Sequence, residues 1–79
     1  MTALPPGSAI GVLGGGQLGR MMALAAARLG YRVHVFTPEA DSPAAQVSAA
    51  ATVARWDDLG ALDAFAEQVD AVTLEFENV

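Results

Sequence analysis

A short apolar run, Ile10-Gly11-Val12-Leu13, passes without a spacer into Gly14-Gly15-Gly16-Gln17-Leu18-Gly19-Arg20, and this junction constrains the fold more than any other feature of the chain. Glycines at 14, 16 and 19 have the G-x-G-x-x-G spacing of a strand that turns sharply into a helix. The first permits the tight turn, the second lets a ligand approach the backbone, and the third lets helix and strand pack closely. N–H groups of the new helix's first turn lack intrahelical acceptors and sit at the positive end of its dipole, where an anion such as phosphate is stabilised. The flanks that the motif demands are both present: a continuously apolar strand, Ala9–Leu13, and an amphipathic segment running to Leu29.

Further elements follow from spacing. The first helix is predicted from Gln17 to Leu29, with Leu18, Met21, Met22, Ala25 and Leu29 as its inward face and Gly30 at C′. Met21 and Met22 read as core filler. Arg32–Thr37 is rich in β-branched and aromatic residues, is stopped by Pro38, and reads as the second strand. Ser42-Pro43 has the chemistry of a cap followed by proline at the first helical position, which predicts a short helix to about Ser48. Ala51–Ala54 is a candidate third strand. Asp57 or Asp58 then caps a helix with Leu59, Leu62, Phe65, Ala66 and Val69 as its buried stripe, and Ala71–Phe76 is the fourth strand. Met1–Ser8, containing Pro5-Pro6-Gly7, reads as a loose leader, and residues 9–79 as one domain.

Composition narrows the function classes. Of the 79 residues 53% are hydrophobic and 16% charged, which suits a globular domain rather than disorder. The net charge is −5, and Arg20, Arg28, Arg32 and Arg55 are the only cations, with no lysine. Such a chain is a poor nucleic-acid binder, because phosphate neutralisation supplies most of that affinity. The absence of cysteine excludes disulfides and thiolate metal sites. No apolar stretch is long enough to span a bilayer and the first eight residues carry no basic region, so the expectation is a cytoplasmic protein without a membrane partner.

Strands alternating with helices predict right-handed crossovers and an α/β, Rossmann-like parallel sheet of order 3-2-1-4, with helices on both faces. The first and fourth strands are then neighbours at the switch point, where ligands bind at the carboxyl ends of strands. That geometry brings the glycine turn and Glu75-Phe76-Glu77-Asn78 to one crevice. Glu75 and Glu77 share a side of the strand. Glu75, the earlier, is suited to accept hydrogen bonds from ligand hydroxyls or an amine, although a solvated strand end would carry the same residues. Backbone N–H groups facing phosphate beside such a carboxylate imply a sugar phosphate or nucleotide. A dinucleotide site expects its acid at the end of the second strand, about twenty residues past the first glycine. Glu39 comes later than that and follows Pro38, which weakens the dinucleotide reading without closing it.

The remaining polar residues are less directive. Gln17 stands inside the glycine turn, and Arg20 lies in the first helical turn, where a guanidinium can join a phosphate contact. Ordinary helix-start polarity accounts for both equally well. His34 in mid-strand reads as a packed or exposed residue rather than a catalytic one, and Trp56 as a cover for the sheet edge. No Ser-His-Asp set, metal-ligand cluster or Walker-type lysine is present.

Three segments in order carry a resemblance: Gly14-Gly15-Gly16-Gln17-Leu18-Gly19-Arg20-Met21-Met22, Ser42-Pro43-Ala44-Ala45-Gln46-Val47, and Thr73-Leu74-Glu75-Phe76-Glu77-Asn78-Val79. Together they resemble the N-terminal (preATP-grasp) domain of the N5-carboxyaminoimidazole ribonucleotide synthetases, ATP-grasp ligases of purine biosynthesis. The ATP-grasp glycinamide ribonucleotide transformylases are similar but less close, with an acid where Gln17 stands. The resemblance implies that ATP phosphorylates bicarbonate to carboxyphosphate and that the amine of 5-aminoimidazole ribonucleotide captures the carboxyl group. It implies that Gly16, Gln17, Leu18, Gly19 and Glu75 contact the ribonucleotide, with Arg20 and Glu77 as further candidates.

Members of that family are three-domain enzymes of several hundred residues, so the resemblance makes this chain a fragment of such an enzyme. ATP and Mg²⁺ then belong to the later domains, and no catalytic or metal-binding residue is expected here. A homodimer is implied for the full-length enzyme. With Leu74, Phe76 and Val79 left without a covering helix, the 79 residues alone are expected to be marginally stable or to associate. An NAD(P)-binding oxidoreductase domain and a non-catalytic nucleotide-sensing module are the alternative readings.

Overall fold

The β-branched and aromatic run after Arg32 forms an inner strand of a four-stranded sheet. In this computed structural model, which describes residues 4–74, the elements are β1 (Ala9–Leu13), α1 (Gln17–Arg28), β2 (Arg32–Thr37), β3 (Ala50–Val53), α2 (Leu59–Glu67) and β4 (Ala71–Leu74). The strands lie in the order β3-β2-β1-β4, each neighbouring pair parallel, as the alternation of strands and helices predicts. In the register, Gly11 of β1 is level with His34 of β2, which is level with Ala50 of β3.

Side chains alternate between the faces of a sheet, and β2 is enclosed on both. Val33 and Val35 join Val12, Ala23 of α1 and Ala44 in one apolar layer, with Ala26, Ala45 and Val47 packed against it. His34 and Phe36 face the other way. There the ring of Phe65 from α2 lies edge-on to both, with centroids 5.0 Å and 5.4 Å away. A Cβ on Gly11 would stand 2.7 Å from Phe65 Cζ, so a side chain at that point of β1 would push α2 off the sheet. The predicted cover on both faces is present.

Backbone hydrogen bonds pin the ends of the strands. Asp70 N–H donates to the Ala9 carbonyl at 2.7 Å, and the Asp70 carboxylate accepts from Ala9 N–H at 2.8 Å, which locks β4 beside β1 where the two begin. Residues 4–8, for which the sequence suggests a loose leader, are hydrogen-bonded to the α1–β2 turn. Tyr31 Oη donates to the Leu4 carbonyl, Gly7 N–H to the Gly30 carbonyl, and Arg32 Nε to the Gly7 carbonyl.

Several local expectations are corrected. The inward face of α1 is Gly19 and Ala23, with Met22 and Ala26 half-buried. Of the predicted stripe, Met21 and Leu29 are 65% and 70% exposed, Ala25 is exposed, and Leu18 is 37% exposed. The tight turn before Gln17 sets the rotation of the helix, and small residues face the sheet because they permit the closest approach. Residues 43–48 form consecutive turns and no helix. Ser42 does cap them, its Oγ accepting from Ala45 N–H, but Ser48 Oγ donates to the Ala44 carbonyl and Ala49 N–H is already paired to Val33. So short a segment does not offset the cost of helix nucleation. β3 starts and ends one residue before the predicted strand because its pairing with β2 runs from Ala50 to Val53.

Asp58 rather than Asp57 caps α2, accepting from Ala61 N–H at 3.0 Å. Asp57 instead pairs with Arg55 at 3.1 Å on the open surface, where such a pair contributes little. Of the predicted α2 stripe Phe65 is buried, Leu62 and Val69 are half-buried, and Leu59 and Ala66 are exposed. The helix is seated on the sheet by the Phe65 ring, inserted opposite Gly11.

That arrangement predicts an asymmetry. Phe65→Ala opens a cavity between His34 and Phe36 and is expected to cost about 3–5 kcal/mol. Leu59→Ala, at a residue 74% exposed, is expected to change stability by no more than about 0.5 kcal/mol. Urea-unfolding midpoints of the two variants check this, and equal losses would mean that the outer stripe seats the helix.

Candidate functional site

The turn between β1 and α1 is built by its glycines. Gly14 has φ +124°, a conformation that residues with side chains rarely adopt, and its N–H donates to the Phe36 carbonyl at 2.9 Å. The chain thus stays hydrogen-bonded to β2 while it changes direction. Gly16 is the N-cap of α1 in an extended conformation, and Arg20 N–H donates to its carbonyl at 3.0 Å. A glycine cap has no side chain to occupy the N–H groups of the first turn, and no acidic residue stands there to neutralise the dipole. Gly19 is buried one turn in, against the sheet.

A cleft of about 240 Å³ opens at the carboxyl ends of β1 and β2, lined by Gly14–Gly16, Thr37–Glu39, Pro43 and Trp56. Parallel register explains the grouping, since Leu13 is level with Phe36 and the residues after each therefore emerge together. Leu13 is also level with Leu74, so β4 reaches the same end of the sheet. Glu75 and Glu77 follow Leu74 and lie outside the described residues. Gln17 and Leu18 are exposed at the start of α1 and Arg20 is half-buried, all beside the cleft and not in its lining. The structure therefore brings Gly16, Gln17, Leu18 and Gly19 together as one helix start.

Sequence reasoning did not place Thr37, Pro43 or Trp56 in this cleft. Trp56 is 40% exposed and its ring lies 5.4 Å from Phe36, tilted by 37°. It closes the end of the sheet next to the glycine turn instead of covering an edge. The available signal was register: Thr37 ends β2 one residue beyond the partner of Leu13. Nothing in the sequence alone points to Trp56, which arrives through the crossover after β3.

Among the described residues there is no group of three or more His, Asp or Glu side chains able to hold a metal ion, and no helix long and apolar enough to cross a membrane. A second hollow of about 200 Å³, lined by Ala9, Arg32, His34 and Gln68 among others, opens at the amino ends of the strands. Ligands of doubly wound sheets bind at the opposite end.

A doubly wound parallel sheet with a glycine turn at its switch point defines a Rossmann-like domain. The chain belongs to the ribonucleotide synthetase preATP-grasp domain family, which matches residues 8–79. It is 59% identical over 76 residues to the bifunctional purine synthesis protein purC/E of Dictyostelium discoideum, covering 96% of this chain and 8% of that protein. It is 55% identical over 78 residues to the N5-carboxyaminoimidazole ribonucleotide synthase of Brucella melitensis, covering 99% of this chain and 22% of the relative. Among solved structures, an N5-carboxyaminoimidazole ribonucleotide synthetase in complex with ADP superposes with a TM-score of 0.90 at 54% identity, over 96% of this chain and 20% of that one. The Aspergillus clavatus synthase in complex with ADP and 5-aminoimidazole ribonucleotide superposes with a TM-score of 0.79 at 40% identity, over 92% of this chain and 20% of that one.

His34 stands apart from the cleft as a packed residue. It is 7% exposed, its Nε2 is 2.6 Å from Thr52 Oγ1, and burial lowers its pKa from the ordinary 6.5. The unfolded chain therefore takes up a proton that the folded chain resists, and folding stability is expected to fall as the pH drops below about 6.5. Denaturant titrations between about pH 7.5 and pH 5 check the slope, and His34→Gln should flatten it.

Proposed function

We propose that this chain is the substrate-side domain of an N5-carboxyaminoimidazole ribonucleotide synthase, an ADP-forming carbon–nitrogen ligase. The observation that supports this most is the family match over residues 8–79, which includes the whole glycine turn at the switch point. In this reading Gly16, Gln17, Leu18 and Gly19 hold the phosphate end of 5-aminoimidazole ribonucleotide through the start of α1. Glu75 accepts hydrogen bonds from its hydroxyls or amine, and Arg20 and Glu77 flank the site. The carboxyl group comes from bicarbonate. A homodimer working in the cytoplasm accords with this role.

The residues of this chain do not fit an ATP–Mg²⁺ clamp. The sequence contains no lysine to neutralise a triphosphate, and the described residues contain no carboxylate cluster to hold a metal. Nucleotide and Mg²⁺ are therefore assigned to parts of the ligase beyond these 79 residues, and what this domain contributes is the grip on the ribonucleotide.

Calorimetric titration of the ligase carrying this chain with 5-aminoimidazole ribonucleotide and with NAD separates the proposal from the oxidoreductase reading. Saturable ribonucleotide binding without a response to NAD is expected, and the reverse would overturn it. Glu75→Ala is expected to weaken ribonucleotide binding by about 1.5–3 kcal/mol, the range for a charge-assisted hydrogen bond, and to leave ATP affinity unchanged. Glu77→Ala should be milder, so the opposite ranking would move the contact to Glu77.

A further inference from the structure

Gly15, the variable position of the G-x-G-x-x-G spacing, fits tightly in the glycine turn. A Cβ there would stand 2.5 Å from Ser42 Oγ, 2.7 Å from Ser42 Cβ and 2.7 Å from Thr37 Oγ1. Neither neighbour is free to withdraw. Ser42 and Thr37 are each 2% exposed, Ser42 Oγ accepts from Ala45 N–H, and Thr37 Oγ1 accepts from Glu39 N–H, both at 3.3 Å. The Gly15 carbonyl in turn accepts from Ala44 N–H at 3.0 Å, and Ala44 is wholly buried in the core. The residue before it, Gly14, is tied to the Phe36 carbonyl. The turn is thus held from beneath by a bracket, residues 37–44, that itself includes no residue of the helix start.

We infer that Ser42 and Thr37 are positioning residues that set the ribonucleotide affinity of the helix start by fixing the backbone at Gly15. The inference rests on the proposed ribonucleotide reading for its ligand. Backbone N–H groups grip an anion only along fixed directions, so a turn displaced by a fraction of an ångström loses alignment at several groups together. The packing of Ser42 and Thr37 against Gly15 and the Ala44 N–H bond to its carbonyl hold those directions.

The test is a steric exchange in the ligase carrying this chain. Gly15→Ala is expected to raise KM for 5-aminoimidazole ribonucleotide by roughly 10–100-fold with KM for ATP unchanged. Adding Ser42→Gly, which removes two of the three crowding atoms, should recover at least half of that loss on a logarithmic scale. Ser42→Ala, which deletes only the hydroxyl, is the variant that keeps its fold, and a rise of about threefold in the same KM is expected from loss of one weak hydrogen bond. Hydrogen exchange of the amides of residues 16–19 gives a readout that needs no ligand, and it should quicken in Gly15→Ala and slow again in the double variant. An enzyme that ignores the ribonucleotide while exchange changes as described would overturn the proposed function and leave the bracket standing. Unchanged KM and unchanged exchange in Gly15→Ala, or a double variant no better than the single one, would overturn the bracket.

Discussion

Burial of β2 on both faces is the constraint on which the rest of the domain depends. Val35 and Phe36 are adjacent in the chain and both fully enclosed, yet they belong to different layers, one under α1 and the other under α2. A strand in that position cannot be an edge and cannot face water, so partners are required on either side and a cover above and below. β1 and β3 supply the sides, and the helices and the 42–48 turns supply the covers. In a domain this small, few residues remain for any other core.

The same strand organises the cleft. Because β1 and β2 run in one direction and end level with one another, Gly14–Gly16 and Thr37–Glu39 emerge side by side. Parallel pairing therefore places a helix start whose N-cap is a glycine next to a polar strand end. Membership of the preATP-grasp family accords with this glycine turn at the switch point of the sheet.

Much of this was legible beforehand. The boundaries of β1 and β2, the place of Gly30, the strand order and the glycine turn all follow from local chemistry, where glycine, proline and alternation have few competing meanings. What was misread shares one cause. The face of α1, the stripe of α2 and the conformation of 43–48 depend on what lies across from them. Counting apolar residues puts Met21 and Leu29 inside, whereas the turn before Gln17 rotates Gly19 and Ala23 inward and leaves the larger residues out. At the site, Gln17 and Leu18 stand where the motif puts them. Pro43 and Trp56 were invisible as cleft residues because they lie in the connections after β2 and after β3, and Thr37 was legible only through strand register.

The sequence by itself determined the class of sheet, the direction of its strands and the glycine turn that joins β1 to α1. These are set by backbone chemistry within a few residues: a glycine that can hold φ +124°, a strand apolar throughout, a helix start without a side-chain cap. Only the tertiary structure decided which side of each helix is buried, which aspartate caps α2, and how little room is left for a Cβ at Gly15. Those outcomes depend on distances between segments far apart in the chain, such as Gly15 against Ser42 and Gly11 against Phe65. Close packing decides them, and it operates only when both partners are in place.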